Sequence, residues 1–375
     1  MSTYDPKRPY NELPQLPPAI EIETIGVMRE LNLASRALAN LNGTALSVPN
    51  PQLLIDAFAI TEAVASSEIE NVNTTSDELF RFMAVGNERA SDATKEAARY
   101  RPALSTAIDR LSTHPNLDTQ LFVDICSQIL GTQTDVRDSA VLIGNLRARF
   151  VVYTPPFGKP TLLRLLENLI NFANENSTGL DPIIKMAIMH YQFEAIHPFP
   201  DGNGRTGRII NILYLMHRGL LDQPVLYLSR YFLRRRREYY AGLRAVTESG
   251  AWEEWVRYIL AGIREVAEEG RNDLIRIREL RKEFAERARV DAPTAASEQL
   301  IDLLFMRPYT TTRMVQEVEG VTRATARSRL EALTRAGMLE RIKSGRHQLF
   351  RNHDLIDILI GQSDDMESIV HFIDG

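Results

Sequence analysis

HPFPDGNGRTGR, residues 197–208, gathers three glycines, two arginines, an acid, an asparagine and a histidine into twelve positions. Gly202 and Gly204 let the backbone approach an anion, and a helix starting near Thr206 offers free N–H groups and the positive end of its dipole. Arg205 and Arg208, three apart, lie on neighbouring helix faces and can each clamp different phosphate oxygens. Asp201 supplies one hard oxygen, which suits Mg²⁺, a cation that takes one or two carboxylates and fills its shell with phosphate oxygens. His197, with an unperturbed pKa of about 6.5, can accept a proton at neutral pH. Pro198 ends the preceding helical run, MAIMHYQFEAI, so His197 is fixed at the lip of the cradle. Phe199 anchors the loop in apolar surroundings. A plain glycine-rich turn would explain GNG alone; it does not explain the whole set.

Outward from this loop the pattern is helical. Apolar residues recur at three and four spacing over 53–85, 90–111 and 119–130, then over 161–174, 183–196, 209–218, 234–247 and 252–287, the last read as two helices. Between Val136 and Tyr153 the pattern changes to two apolar and β-branched runs, AVLIG and ARFVVY, around GNLR, which reads as a short hairpin. A hairpin among helices is a flap. The chain starts with a proline-rich arm, MSTYDPKRPYNELPQLPP, followed by a helix over 25–41 that breaks at NGTALSVPNP.

The 375 residues are too many for one ordinary core, and 44% apolar with 25% charged residues is the composition of a folded soluble protein. There is no signal-peptide pattern and no run of about eighteen apolar residues, so a cytoplasmic protein without a membrane partner is expected. The net charge of −5 argues against attraction of the whole chain to nucleic acid. The single cysteine, Cys126, sits in an apolar helical pattern and reads as a packed, inert thiol. Arg234–Arg237 reads as a solvated helix start, since four consecutive helical positions point in four directions.

From Ala296 the logic differs: SEQLIDLLF, TTRMVQEVE and RATARSRLEALTRAG read as three helices, followed by two β-like runs around the SGR turn. This resembles a winged helix-turn-helix, with Thr322–Ala336 as the candidate recognition helix and Leu339–Arg351 as the wing. Arg323, Arg327 and Arg329 permit DNA binding, but the basic excess is modest and a dimerisation or target-docking role is the favoured reading.

HPFPDGNGRTGR also matches, without exception, the pattern HxFx(D/E)GNGRxxR, and on it the chain is identified as resembling the Fic family. The resemblance implies a mainly α fold, a helical bundle with a β-hairpin flap, and transfer of AMP from ATP to a Ser, Thr or Tyr hydroxyl of a target protein or of the chain itself. It makes His197 the general base, Asp201 the Mg²⁺ ligand, and Gly202, Asn203, Gly204, Arg205, Gly207 and Arg208 the phosphate cradle. The Doc branch, associated with kinase activity, carries a lysine where this chain has Gly204, which favours AMP transfer. Val141, Leu142, Ile143 and Gly144 correspond to the flap over the nucleotide, its edge open to an extended target segment. Tyr239 and Tyr240 correspond to a tyrosine pair that the family often places beside adenine.

Upstream, in VASSEIENVNTT, Ser66, Glu70 and Asn71 match the inhibitory pattern (S/T)xxxE(G/N) of autoinhibited Fic proteins. This implies that Glu70 reaches Arg208 and withholds it from the γ-phosphate. The same glutamate supports AMP removal in some relatives, so a de-AMPylating hydrolase is one alternative and an ATP-sensing DNA-binding regulator another. The expected organisation is an arm and first helix over 1–50, a Fic catalytic domain over 51–270 with the inhibitory helix around 60–72, a connector over 271–293 and the winged helix over 294–375. Large bacterial members with this arrangement tend to be homodimers.

Overall fold

The structure, a computed structural model, describes residues 4–47, 52–86, 90–145, 150–176, 179–345 and 347–360. The tip of the expected hairpin (146–149), Arg346 of the SGR turn and the chain after residue 360 lie outside the described residues. Contacts divide the chain into two compact units: Met1–Asn42, Ala65–Asn71 and Arg99–Glu268 form one, and Gly43–Val64, Val72–Ala98 and Glu269–Gly375 the other. The 51–270 segment is therefore not one body by its contacts, since residues 51–64 and 72–98 group with the C-terminal part. No described helix is long and apolar enough to cross a membrane.

In chain order the helices and strands are α1 (Ile25–Leu46), α2 (Gln52–Ile69), α3 (Ser76–Val85), α4 (Asp92–Ala97), α5 (Tyr100–Thr113), α6 (Thr119–Leu130), β1 (Ile143–Asn145) and β2 (Phe150–Tyr153). Then come α7 (Lys159–Asn174), α8 (Pro182–Ile196), α9 (Asn203–His217), α10 (Ser229–Arg234), α11 (Arg236–Ser249) and α12 (Trp252–Asp291). The C-terminal part holds α13 (Glu298–Met306), β3 (Tyr309–Thr310), α14 (Thr312–Glu319), α15 (Arg323–Arg335), β4 (Glu340–Ser344), β5 (His347–Arg351) and α16 (His353–Ile360).

The first unit is built around α8. Asp181 caps its start by accepting from Ile183 N at 2.8 Å, Pro182 occupies the first turn where no N–H is needed, and Pro198 prevents its continuation. Ile184, Met186, Ala187, Ile188 and Ile196 are all buried, and so are Lys185, His190 and Gln192, so the helix is enclosed on every side and carries no amphipathic stripe. It packs on α7 and α9, and α5 and α6 pack on each other and on α9. Trp255 of α12 closes the remaining side, its indole N–H donating to Ala187 O at 2.8 Å.

Several boundaries depart from the sequence reading. The 53–85 run is two helices, because the chain turns at Asn71, whose φ is +61°, and restarts at a capped Thr75. The 252–287 run is one helix through Asp291: it contains no proline, and Gly262 is there because a Cβ would meet the Tyr231 ring at 2.7 Å, not because the helix breaks. The first helix likewise runs through Gly43 to Leu46. Its burial of Leu41 and Ala45 offsets the roughly 1 kcal/mol that glycine costs inside a helix.

In the second unit, β3, β5 and β4 form an antiparallel sheet in that order, with Arg341 opposite Phe350 and Ile342 opposite Leu349. The two-residue β3 is too short to leave a periodic signal, and the sequence reading did not contain it. Tyr309 of β3 donates its hydroxyl to Asp77 of α3 and receives the Arg81 guanidinium over its ring at 5.7 Å, which ties α3 into this unit. Arg327 and Arg329 of α15 are paired with Glu331 and Glu319 at 2.7 and 2.6 Å, while Arg323 is exposed.

Thr75 opens α3 with a capping box: its hydroxyl accepts from Glu78 N at 3.1 Å, and Glu78 accepts from Thr75 N at 3.2 Å. Thr75→Ala is expected to destabilise the first turn by about 1 kcal/mol. Amide hydrogen exchange should read this as roughly fivefold faster exchange over 76–79, while α8 is unaffected.

Candidate active site

The motif loop joins α8 to α9 through two left-handed residues. His197 caps α8 at φ +49° and ψ +59°, its N–H donating to Phe193 O at 3.0 Å. A non-glycine residue there stores about 1–3 kcal/mol of strain and persists only if its surroundings impose it. Arg137, which the sequence reading did not single out, provides that constraint. Its Nε donates to His197 O at 2.8 Å, Nη1 to Ser139 O at 2.7 Å, and Nη2 to Pro156 O at 2.7 Å and Ile196 O at 3.4 Å. Its own N–H donates to Pro198 O at 2.9 Å. One buried guanidinium thus fastens the flanks of the flap to the motif loop through carbonyl oxygens, and burial pulls its pKa below the usual arginine value.

Gly202, at φ +76°, makes the second left-handed turn and starts α9 at Asn203, earlier than the sequence suggested. Asn203 does not face outward: its amide bridges Phe199, accepting from Phe199 N at 2.9 Å and donating to Phe199 O at 2.8 Å. Phe199 is fully buried, as expected of an anchor. Asp201 accepts from Gly202 N through Oδ1 at 2.6 Å while its side chain stays 76% exposed. Cys126 donates its thiol to Asp201 O at 3.3 Å, and burial pushes that thiol up to about 12, which makes it inert.

Glu70 sits directly on the cradle. A Cβ at Gly204 would lie 2.0 Å from Glu70 Oε1, so no side chain fits there while Glu70 is in place. Arg208, 2% exposed, donates from Nε to Ser66 Oγ at 2.7 Å, and from Nη2 to Ser66 O at 2.8 Å and Glu70 Oε1 at 3.0 Å. Burial works against its charge, yet the carboxylates of Glu70 and Glu194 and the nearby Tyr239 hold its pKa above the ordinary value. Arg236 fixes the turn after α2 by donating to Ile69 O at 2.7 Å and Asn71 Oδ1 at 3.0 Å. Arg234 and Arg235 pair with Glu265, so this basic run is engaged in intramolecular contacts.

His197, Gly204, Glu70, Tyr240 and the flap residues Val141–Ile143 line one cavity of about 710 Å³, the size of a small-ligand site. Tyr240 faces it, 43% exposed. Tyr239 also borders it, but its ring is 2% exposed, stacked on Phe232 at 4.7 Å and hydrogen-bonded to His190 at 3.0 Å, which makes it mainly a core residue. Gly207 faces Phe193 and Glu194, where a Cβ would meet atoms at 2.8–2.9 Å, so it permits close approach of α8 and α9. Gly144 lies beside a register shift in β1 and outside the cavity lining. Arg205 is buried beneath the loop, its charge acting on the Cys126 thiol.

Two titrating groups in the cavity wall are displaced in opposite directions. Burial pulls the His197 imidazole down to about 4, with Glu70 acting the other way, and its Nδ1 is buried without a hydrogen-bond partner. The ring is neutral near pH 7 and able to accept a proton. Burial pushes the Glu194 carboxyl up to about 8, against the pull of Arg208, and its Oε1 is buried without a hydrogen-bond partner. A proton acceptor, a glycine-lined helix start, two buried arginines and an exposed carboxylate share one loop. That set suits transfer of a phosphate-containing group, in which positioning and charge neutralisation do most of the work.

Comparison with known proteins gives the class. Residues 116–215 match the Fic/DOC family, residues 28–109 its N-terminal region, and residues 280–355 the C-terminal domain described as protein adenylyltransferase SoFic-like. The chain belongs to the Fic/DOC family. The fold is similar to that of a Fic family protein from Desulfovibrio desulfuricans G20, with a TM-score of 0.55 at 19% identity over 89% of this chain and 98% of that one. Fic-1 from Caenorhabditis elegans gives 0.50 at 20% identity over 68% and 74%. In sequence, the chain is 31% identical to Caenorhabditis elegans protein adenylyltransferase fic-1 over 152 residues, 39% of this chain and 27% of that protein. It is 38% identical to a probable protein adenylyltransferase of Aquifex aeolicus over 94 residues, 25% and 26% of the two chains. The matched segments thus span about a quarter of those curated relatives.

The opposite pKa displacements predict two slopes in stability. As pH falls from about 6.5 to 4 the unfolded chain protonates His197 and the native one does not, so His197 costs stability towards acid. As pH rises from about 4.5 to 8 the unfolded chain ionises Glu194 while the native one resists, so Glu194 costs stability towards base. Thermal midpoints of Glu194→Gln should therefore decline less than wild type between pH 4.5 and 8; an identical profile would place the Glu194 carboxyl in ordinary solvent.

Proposed function

We propose that the protein is a protein adenylyltransferase, moving AMP from ATP to a Ser, Thr or Tyr hydroxyl of a target protein, and that Glu70 autoinhibits it. The observation that carries this reading is the Glu70–Arg208 ion pair seated on Gly204. A carboxylate occupies the guanidinium that a γ-phosphate would use, at the start of a helix suited to anions. ATP can still enter such a site, but its terminal phosphate must compete with Glu70. The names of the curated relatives support the same activity.

On this reading His197 takes the proton of the attacking hydroxyl, the oxygen adds to the α-phosphorus, and pyrophosphate leaves. Its lowered pKa keeps it unprotonated across the neutral range, so activity should not fall with the ionisation of a free histidine near pH 6.5. The backbone of the loop and Arg205 and Arg208 carry the phosphate charge. Asp201 is the residue that would hold Mg²⁺. Among the described residues no three His, Cys, Asp or Glu side chains are placed to hold a metal by themselves. An exposed single carboxylate beside a phosphate cradle nevertheless fits a cation that completes its shell with phosphate oxygens and water, and neutralises phosphate charge when bound. The base would extend from the phosphates past Tyr240 and the flap.

In the C-terminal part, α13, α14 and α15 with the sheet of β3, β5 and β4 fit a winged helix, and we assign it to protein contact, either a second copy of the chain or the target. The engagement of Arg327 and Arg329 in ion pairs favours this over DNA binding.

Label transfer from ATP labelled at the α-phosphate, with Mg²⁺, tests the proposal in wild type, Glu70→Gly and Glu70→Gly/His197→Ala. Glu70→Gly should raise labelling at least tenfold, and the added His197→Ala should remove it by two to four powers of ten. Equal labelling in wild type and Glu70→Gly would exclude Glu70 as the brake, and no label in any variant would exclude the activity.

A further inference from the structure

The same cavity continues past the motif to an end that the roles above leave unused. Both helices bordering it measure its reach: from Tyr240 to Thr247 on α11 is roughly 10 Å, and from His197 back to Tyr191 on α8 roughly 9 Å. The charges acting on the tyrosines order the two ends. Tyr240 feels Glu70 and Arg208, at the motif, whereas Tyr4 feels Glu248 and Arg244, on the last turns of α11. Tyr4 belongs to the N-terminal arm and lines the cavity together with Tyr153 of the flap and Tyr191 of α8.

The arm is held there by specific bonds. Tyr10 N donates to Thr154 O at 3.1 Å, Thr154 Oγ1 to Pro6 O at 2.6 Å, and Phe157 N to Asn11 Oδ1 at 2.8 Å. Gln192 of α8 donates to Pro14 O at 2.8 Å, and Asn168 of α7 exchanges two bonds with Leu16. These contacts carry the chain back past β2 and set Tyr4 against Tyr153, ring centroids 6.2 Å apart and 27° from parallel. The three hydroxyls at this end all have protein partners: Tyr4 donates to Val152 O, Tyr153 to Ala195 O, and Tyr191 pairs with Thr247. With its hydroxyl engaged, Tyr4, like the half-buried Tyr153, offers ring carbon surface to the cavity, which suits a flat aromatic group.

We infer that the N-terminal arm is part of the nucleotide site, with Tyr4 closing its far end as a contact for the purine base. The inference rests on the adenylyltransferase reading, since a nucleotide with its phosphates on the motif loop directs its base towards this end. Tyr4 acts in positioning the base and takes no part in the transfer.

The test uses the full-length chain and measures the affinity for Mg-ATP and, as competitor, for inorganic tripolyphosphate, which reports the phosphate end alone. Tyr4→Ala should weaken ATP about tenfold and leave tripolyphosphate unchanged. Tyr4→Phe, which keeps the ring and loses only the bond to Val152 O, should retain wild-type affinity for both. Unchanged ATP affinity in Tyr4→Ala would overturn the inference, and so would a parallel loss for both ligands, which would make the arm a structural brace. Failure of the wild type to bind ATP would instead sink the adenylyltransferase reading, and this one with it.

Discussion

A buried guanidinium has to be satisfied, and in this protein Ser66 and Glu70 satisfy Arg208. With 2% of its side chain exposed, Arg208 cannot fall back on water, and an unpaired charge at such a position costs several kcal/mol. Its partners come from the end of α2: two bonds to Ser66 and one to Glu70. These partners are not equivalent. Ser66 is fully buried, whereas the Glu70 side chain is 34% exposed and lies on the open face of Gly204. An anion that displaced Glu70 would find Arg208 still oriented by Ser66, so the arginine can change its charged partner without being rebuilt.

Rigidity elsewhere in the loop makes that exchange meaningful. His197 holds a left-handed backbone that a histidine does not adopt at no cost, and Arg137 and Asn203 lock the loop on either side of it by bonds to its own backbone. A proton acceptor fixed in this way does not need reorganisation before it acts. The cavity it faces runs from the motif loop to the tyrosines gathered around the arm, so the site is assembled from segments as far apart in sequence as Tyr4, Glu70, the flap and α11.

What the sequence made legible follows the physics of each element. The motif loop could be read directly because its residue types are unusual together and contiguous, and Ser66 and Glu70 because they share a spacing with a known pattern. Helices α6 and α7 could be located from periodicity, and α8, which has no amphipathic stripe, from its length between Pro182 and Pro198. The roles of Arg137 and Asn203 could not, since a side chain that bonds main-chain carbonyls leaves no compositional trace; the clue was only an arginine just ahead of the two short runs that read as a hairpin. Tyr239 looked like a base contact from its position beside Tyr240, but adjacent residues on a helix face different ways: Tyr240 opens to the cavity, while Tyr239 only borders it and stacks in the core. The arm was legible as a proline-rich segment but its seat was not, because distant partners such as Asn168 and Gln192 set it.

On the proposed reading, Glu70 and a terminal phosphate compete for one guanidinium. A crystal structure of the Glu70→Gly variant with Mg²⁺ and a non-hydrolysable ATP analogue tests it most directly. Competition predicts Arg208 still bonded to Ser66, with its Nη2 now donating to a γ-phosphate oxygen where Glu70 Oε1 had been. A γ-phosphate bound elsewhere, with Arg208 turned away from it, would rule that competition out.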